Sequence, residues 1–136
     1  MPIEENKAIV LSFLQDVWAA GNLTIVDELV ADDHVHHLTR RDLHGPEGVK
    51  QLVLWFRSFL PDLQISIRDL IAEGDRVVAY FIFSGTDTGG YLDNPPSGNP
   101  VEYSAIDIFR VRSGRIVERW GIVDTISMMH QIGAIP

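Results

Sequence analysis

The chain contains no cysteine, which removes disulfide bonds, a thiol nucleophile and thiolate metal sites together. Basic residues are few: 11 Lys and Arg stand against 19 Asp and Glu, for a formal net charge of -8. Such a chain repels a phosphate backbone, and no cluster of Lys and Arg with interleaved aromatics offsets the deficit, so nucleic acid is not an expected partner. Long hydrophobic runs are missing too. The longest, Val77 to Phe83, is far shorter than the roughly 20 residues that span a bilayer. The opening MPIEENK has no basic signal-peptide start, and the expectation is a soluble, cytoplasmic protein with no membrane partner. What is present is a globular composition, 46% hydrophobic and 22% charged over 136 residues. That suffices for one domain, residues 1–136, with a real core.

Apolar residues Ile9, Val10, Phe13, Leu14, Val17 and Trp18 recur at three- and four-residue steps, which predicts an amphipathic helix from Glu4 to Ala20 stopped by Gly21. Val26, Leu29 and Val30 repeat the pattern over a shorter helix, Leu23 to Ala31, ended by the polar stretch that begins at Asp32. After a polar link, Gly45-Pro46 opens a third helix carrying Val49, Leu52, Val53, Phe56, Phe59 and Leu60, closed by Pro61. Beyond Pro61 the period changes. QISIRDLI alternates, Val77 to Ser84 is rich in β-branched and aromatic residues, and Ser113-Gly114 between YSAIDIFRV and RIVERWGIV suits a tight hairpin turn. Residues 85–100, full of Gly, Pro and Asn, read as a loop and a candidate pocket lid. A short helix is expected over Ile126 to Ile132. Helices first and a mostly antiparallel sheet afterwards indicate an α+β fold, with helices packed on one face of the sheet.

With Ser113 and Gly114 at the centre of the turn, cross-strand pairing places Asp107 opposite Trp120 and Tyr103 opposite Asp124. Alternation then gathers these four on one largely apolar face, where a carboxylate loses hydration and its pKa rises toward proton exchange near neutral pH. Asp124 is the first candidate for that role and Asp107, farther down the same face, a second that would couple to it. The alternative is structural: Asp124 caps the terminal helix and Asp107 pairs with Arg110 or Arg119. Tyr103, Trp120, Phe56 from the third helix, and Asp87 and Tyr91 from the loop form the expected substrate-binding set. Within Asp33-His34-Val35-His36-His37, consecutive histidines on an extended segment point to opposite sides, so one histidine turned into the pocket is expected rather than a metal site. The opposite sheet face, with Ile106, Ile108, Val117 and Val123, is expected to be covered by a second subunit in a homodimer.

The segments GPEGVKQLVLWFRSFLPDLQISIRDLIAEGDRVVAYF, GTDTGGYLDNPPSGNPVEY and FRVRSGRIVERWGIVDTISMMHQIGAIP together resemble the SnoaL-like polyketide (ester) cyclases of the nuclear-transport-factor-like superfamily. The resemblance runs from the first helix to the terminus. It implies a cone-shaped barrel in which a curved, mainly antiparallel sheet wraps over the N-terminal helices. It also implies a cofactor-free intramolecular aldol closure of a hydrophobic polyketide-like ester, in which an aspartate abstracts an activated proton and later protonates the new oxygen. The matching aspartate is Asp124, in WGIVD, and the best match to the family's histidine after the helices is His37. One departure stands out: the family's usual loop start, Gly-Thr-His, is here Gly85-Thr86-Asp87. An ionised aspartate repels a developing enolate unless it keeps its proton. A hydrolase, dehydratase or isomerase on the same scaffold, or a non-catalytic small-molecule-binding dimer, remains the alternative.

Overall fold

In the computed structural model, which describes residues 2–136, the first apolar stripe becomes α1 (Ile3–Ser12) and runs on into a π-helical segment, Phe13–Ala19. The wider turn brings Phe13, Leu14, Val17 and Trp18 all into the core, each at most 1% exposed. Such insertions are rare and favour functional sites. The second helix is shorter than its pattern suggests: a 3₁₀ turn, Leu23–Ile25, and α2 (Val26–Leu29). α3 (Gly45–Phe59) begins with proline in its first turn, and α4 (Thr125–Gln131) closes the chain.

The polar link between the second and third helices is not a link. It folds as β1 (Val30–His37) and β2 (Asp42–His44), an antiparallel pair at one edge of the sheet. The remaining strands are β3 (Gln64–Glu73), β4 (Arg76–Thr86), β5 (Pro100–Arg112) and β6 (Arg115–Val123). Their order is β2-β1-β6-β5-β4-β3, with β1 and β6 parallel and all other neighbours antiparallel. The curved sheet does not close. Its concave face carries Phe81, Phe83, Tyr103, Phe109 and Ile116, which join Val10, Phe13, Trp18, Val53 and Phe59 of the helices in one core.

The hairpin turn forms where expected, with Arg112 opposite Arg115. Three residues later the pairing changes: Val111 faces Ile116, but Arg110 faces Glu118, so Val117 is an extra residue. A bulge of this kind re-aims every side chain beyond it. Asp107 therefore faces Gly121 and Ile108 faces Trp120. Arg119, Gly121 and Val123 turn to the concave side, while Glu118, Trp120 and Ile122 turn outward.

Candidate active site

Between the concave face, the π-helical segment and α3 lies a cavity of about 540 Å³. Its walls are aromatic: Trp18, Trp55, Phe56, Phe83, Tyr91 and Tyr103 all line it. Phe56 stacks on Phe83 with centroids 5.7 Å apart, and Phe83 stacks on Tyr103 at 5.1 Å. Two local devices hold these walls. Arg57 Nη1 donates to the carbonyls of Trp18 (3.2 Å) and Ala19 (2.7 Å), which ties the π-helical end to α3. Gln131 exchanges hydrogen bonds with the Glu102 backbone, both 2.7 Å, and so fastens α4, with its cavity-lining Met128, to β5.

The polar groups gather at the β1–β6–β5 wall. Asp107, 1% exposed, accepts from Arg119 Nε at 2.8 Å and Nη2 at 2.6 Å, both on Oδ2. Its other oxygen, Oδ1, lies toward Gly121. The Arg119 guanidinium is itself enclosed, its centre 5.2 to 5.4 Å from the rings of Phe13, Trp18 and Phe109. Burial drives the Asp107 carboxyl above its ordinary range, and the Arg119 charge opposes that drift. His36, paired in register with Arg119, lines the same cavity. Burial, reinforced by the Arg119 charge, lowers its pKa to about 2, so it is neutral at physiological pH. Burial also pushes the Tyr103 hydroxyl upward, which keeps its proton in place. Trp18 Nε1, His36 Nδ1, Tyr103 Oη and Arg119 Nη1 have no protein partner among the described residues, although all four residues line the cavity. Buried polar groups without partners are costly, and a ligand rich in oxygen is one way to satisfy them.

Of the residues singled out from the sequence, Asp107, Tyr103, Phe56 and Tyr91 meet in this cavity. The other four lie elsewhere. Asp124 is exposed and caps α4, its Oδ1 accepting from Ser127 N at 3.1 Å. The expectation that it enters the pocket beside Tyr103 is thus corrected: the strand ends at Val123, and the backbone turns at 124 to start the helix. Trp120 is sent outward by the Val117 bulge and stacks on His37, centroids 5.3 Å apart, with Arg76 over its ring. His37 lies on the same outer face, between Asp42 (3.0 Å) and Glu118 (2.7 Å), and the Glu118 hydrogen bond is the main cause of its raised pKa.

Asp87, wholly buried, holds its own loop together. Its carboxylate accepts from Gly90 N (3.0 Å), Ser97 N (3.0 Å) and Ser97 Oγ (2.8 Å). Its backbone exchanges hydrogen bonds with Asn99 and Gly98 across the loop base. It is absent from the cavity wall, so its hydrogen bonds serve the loop rather than a ligand.

The sequence offered Arg119 only as a candidate structural partner of Asp107, which it is, and His36 only as one of the clustered histidines that could face the pocket; Gly121 was not picked out. The alternation of His34 and His36, both buried, was the available signal for His36. A glycine inside an apolar strand was the signal for Gly121.

The same architecture recurs in solved structures. IdmH from Streptomyces antibioticus, described as a candidate polyketide cyclase, is 31% identical over 94% of this chain and 98% of its own, with a TM-score of 0.83. TsrD from Streptomyces laurentii is 27% identical over 99% of both chains, with a TM-score of 0.89. At 24% identity, a SnoaL-like protein from Jannaschia shares the fold with a TM-score of 0.90, covering 100% of this chain and 97% of its own. Comparison with curated proteins finds no match. The family model for SnoaL-like polyketide cyclase matches residues 8–132, from the helix that carries Trp18 to the end of α4, and the chain belongs to that family.

Proposed function

We propose that the protein is a cofactor-independent cyclase that closes a ring in a hydrophobic, polyketide-like ester, with Asp107 as the proton carrier in place of the Asp124 suggested by sequence. The observation that carries this reading is a fully buried carboxylate on the wall of an aromatic cavity, with one oxygen bound to Arg119 and the other turned to Gly121. In the proposed reaction, ionised Asp107 takes a proton from the activated carbon of the ester, leaving an enolate. That carbon attacks a carbonyl carbon of the same molecule, a C–C bond forms, and the resulting alkoxide recovers the proton from Asp107. No redox partner is consumed. Tyr103, protonated throughout, and the free Arg119 Nη1 are the donors available to the developing oxyanion. Neutral His36 adds no charge that would compete with the substrate.

The test is proton exchange. With an aromatic polyketide methyl ester carrying an activated methylene, deuterium uptake at that carbon in D₂O is followed alongside ring closure. Asp107→Asn is expected to lower both by about 100- to 10,000-fold, the usual span of general acid–base catalysis, while Asp124→Asn leaves them nearly unchanged. Full activity in the Asp107 variant would remove the assignment. Exchange without ring closure would make the protein an isomerase or hydrolase on this scaffold.

A homodimer is part of the same proposal, with its interface on the convex face. Val123 turns to the cavity, so the outward residues are Tyr80, Ile106 and Ile122, exposed by 41%, 51% and 69% and adjacent in the strand register. Exposed apolar area of this kind marks an interaction surface. Analytical ultracentrifugation of Ile122→Glu beside the parent chain is expected to show a monomer against a dimer; monomers in both would refute it.

A further inference from the structure

Glycine in the interior of a strand weakens it unless something needs the room. Gly121 is such a residue. It is not among the glycines with positive φ, so backbone conformation does not require it. It lies directly opposite Asp107 in the β5–β6 ladder, inside the cavity wall. A Cβ placed on it would overlap Asp107 Oδ1 and lie 3.1 Å from Cγ and 3.6 Å from Oδ2. These are its three nearest neighbours, and all belong to one carboxylate. The contrast with Gly89 is instructive, since a Cβ there would run into the backbone of Ser58 and Phe59. At Gly89 the fold forbids a side chain, whereas at Gly121 only the acid does.

We infer that Gly121 is a positioning residue of the site: its missing side chain is the space in which the Asp107 carboxylate lies, one oxygen on Arg119 and the other over β6. The inference rests on Asp107 being the proton carrier. A methyl group at position 121 leaves the rest of the wall in place and displaces the carboxylate, which cannot move away from β6 while keeping both short contacts to Arg119. The reacting oxygen then shifts by about the size of the intruding group, and misplacement on the order of 1 Å can cost about 100-fold in rate. Substrate binding, which depends on the aromatic walls, is left alone. The constraint also runs the other way. A carboxylate borne by position 121 would occupy the same volume if position 107 were emptied.

The experiment is a cycle of variants measured with methyl benzoylacetate as probe: deuterium exchange at its methylene over the buffer background, and ¹³C NMR titration of the Asp107 carboxyl without ligand. Gly121→Ala is expected to lower the catalysed exchange by about 100-fold, leave the probe's KM within a few-fold, and move the Asp107 midpoint upward as the guanidinium contacts are lost. Gly121→Ala added to Asp107→Ala is expected to cost no thermal stability relative to Asp107→Ala alone, because the only obstructing group is gone. The exchanged pair Asp107→Gly with Gly121→Asp is expected to recover a measurable part of the rate. Wild-type exchange and an unmoved midpoint in Gly121→Ala would overturn the inference, as would a stability loss from Gly121→Ala that persists when residue 107 is alanine. If Asp107→Asn keeps full exchange, the reading of Asp107 itself has failed. If Asp107→Asn is dead while Gly121→Ala is fully active, only the role of Gly121 has.

Discussion

His36 and His37 are neighbours on β1, yet they live in different solvents. His36 points into the cone, dehydrated and facing the Arg119 charge, which together lower its pKa to about 2 and leave it neutral near pH 7. His37 points outward between two carboxylates and holds its proton more tightly than a free imidazole. The two carboxylate–arginine sets beside them divide in the same way. Asp107–Arg119 is sealed, with side chains 2% and 5% exposed, whereas Arg110 meets Asp75 and Glu118 where water reaches all three. One strand thickness separates a face on which charge is expensive and held in place from a face on which charge is cheap and screened. The proton transfer proposed for Asp107 depends on the first.

The largest break in that comparison should come from removing one partner of each arginine set. Arg119→Met leaves Asp107 buried without its cation and is expected to cost about 3 kcal/mol at neutral pH. Part of that loss returns as pH falls, because the abandoned carboxyl, its pKa raised further, can take up a proton. Arg110→Met is expected to leave the midpoint in urea unmoved. Denaturation of both variants at pH 7 and pH 5 checks the contrast, and equal losses would erase the distinction between the faces.

A smaller effect sharpens it. His34, whose pKa burial lowers to about 4, and His36 are both depressed from 6.5, so the unfolded chain binds protons that the folded chain refuses. Their contribution is fully present above about pH 6.5 and is lost as pH falls, each by up to about 1.4 kcal/mol per pH unit. Below about pH 4 only His36 still contributes. His37 has the opposite sign: its raised pKa stabilises the fold at low pH and ceases to do so as pH rises through that pKa. Stability is therefore expected to drop between about pH 6.5 and about pH 4, with the slope roughly halved in His34→Leu, whereas His37→Ala changes the profile above about pH 6.5, where it removes a loss of stability with rising pH. A flat pH profile for the parent chain would show that the inner histidines are hydrated.

Much of this was legible in the sequence. The apolar stripe through Phe13 and Trp18, the helix opened by Pro46 and the hairpin at Ser113-Gly114 are local features, and local patterning reads them. Asp107 was found because it interrupts an alternating apolar strand. Asp124 was misplaced for the opposite reason. Its position on the pocket face followed from simple alternation through β6, and one extra residue, Val117, inverted that alternation and moved Arg119 inward and Trp120 outward. Nothing in RIVERW marks where a bulge will fall. The edge pair β1–β2 was missed because β1 is rich in Asp and His and β2 has only three residues, and because β1 joins the sheet through a parallel partner more than 80 residues away in sequence, a pairing no local window contains. Asp87 was read as a pocket residue because a loop carboxylate has no periodicity to say which way it faces.

That buried carboxylate separates the loop it closes from the curved sheet that carries it. Loop closure is fixed at Gly90 and Ser97 by side-chain hydrogen bonds and at Gly98 and Asn99 by backbone ones, so the segment between, with Tyr91 and Leu92 at the cavity mouth, is anchored independently of its own composition. Lengthening a loop whose ends are already clamped costs only about 0.6 kcal/mol for each doubling. The mouth is in this sense an interchangeable insert: the frame that holds the chemistry can stay constant while the portion that meets arriving molecules is rewritten.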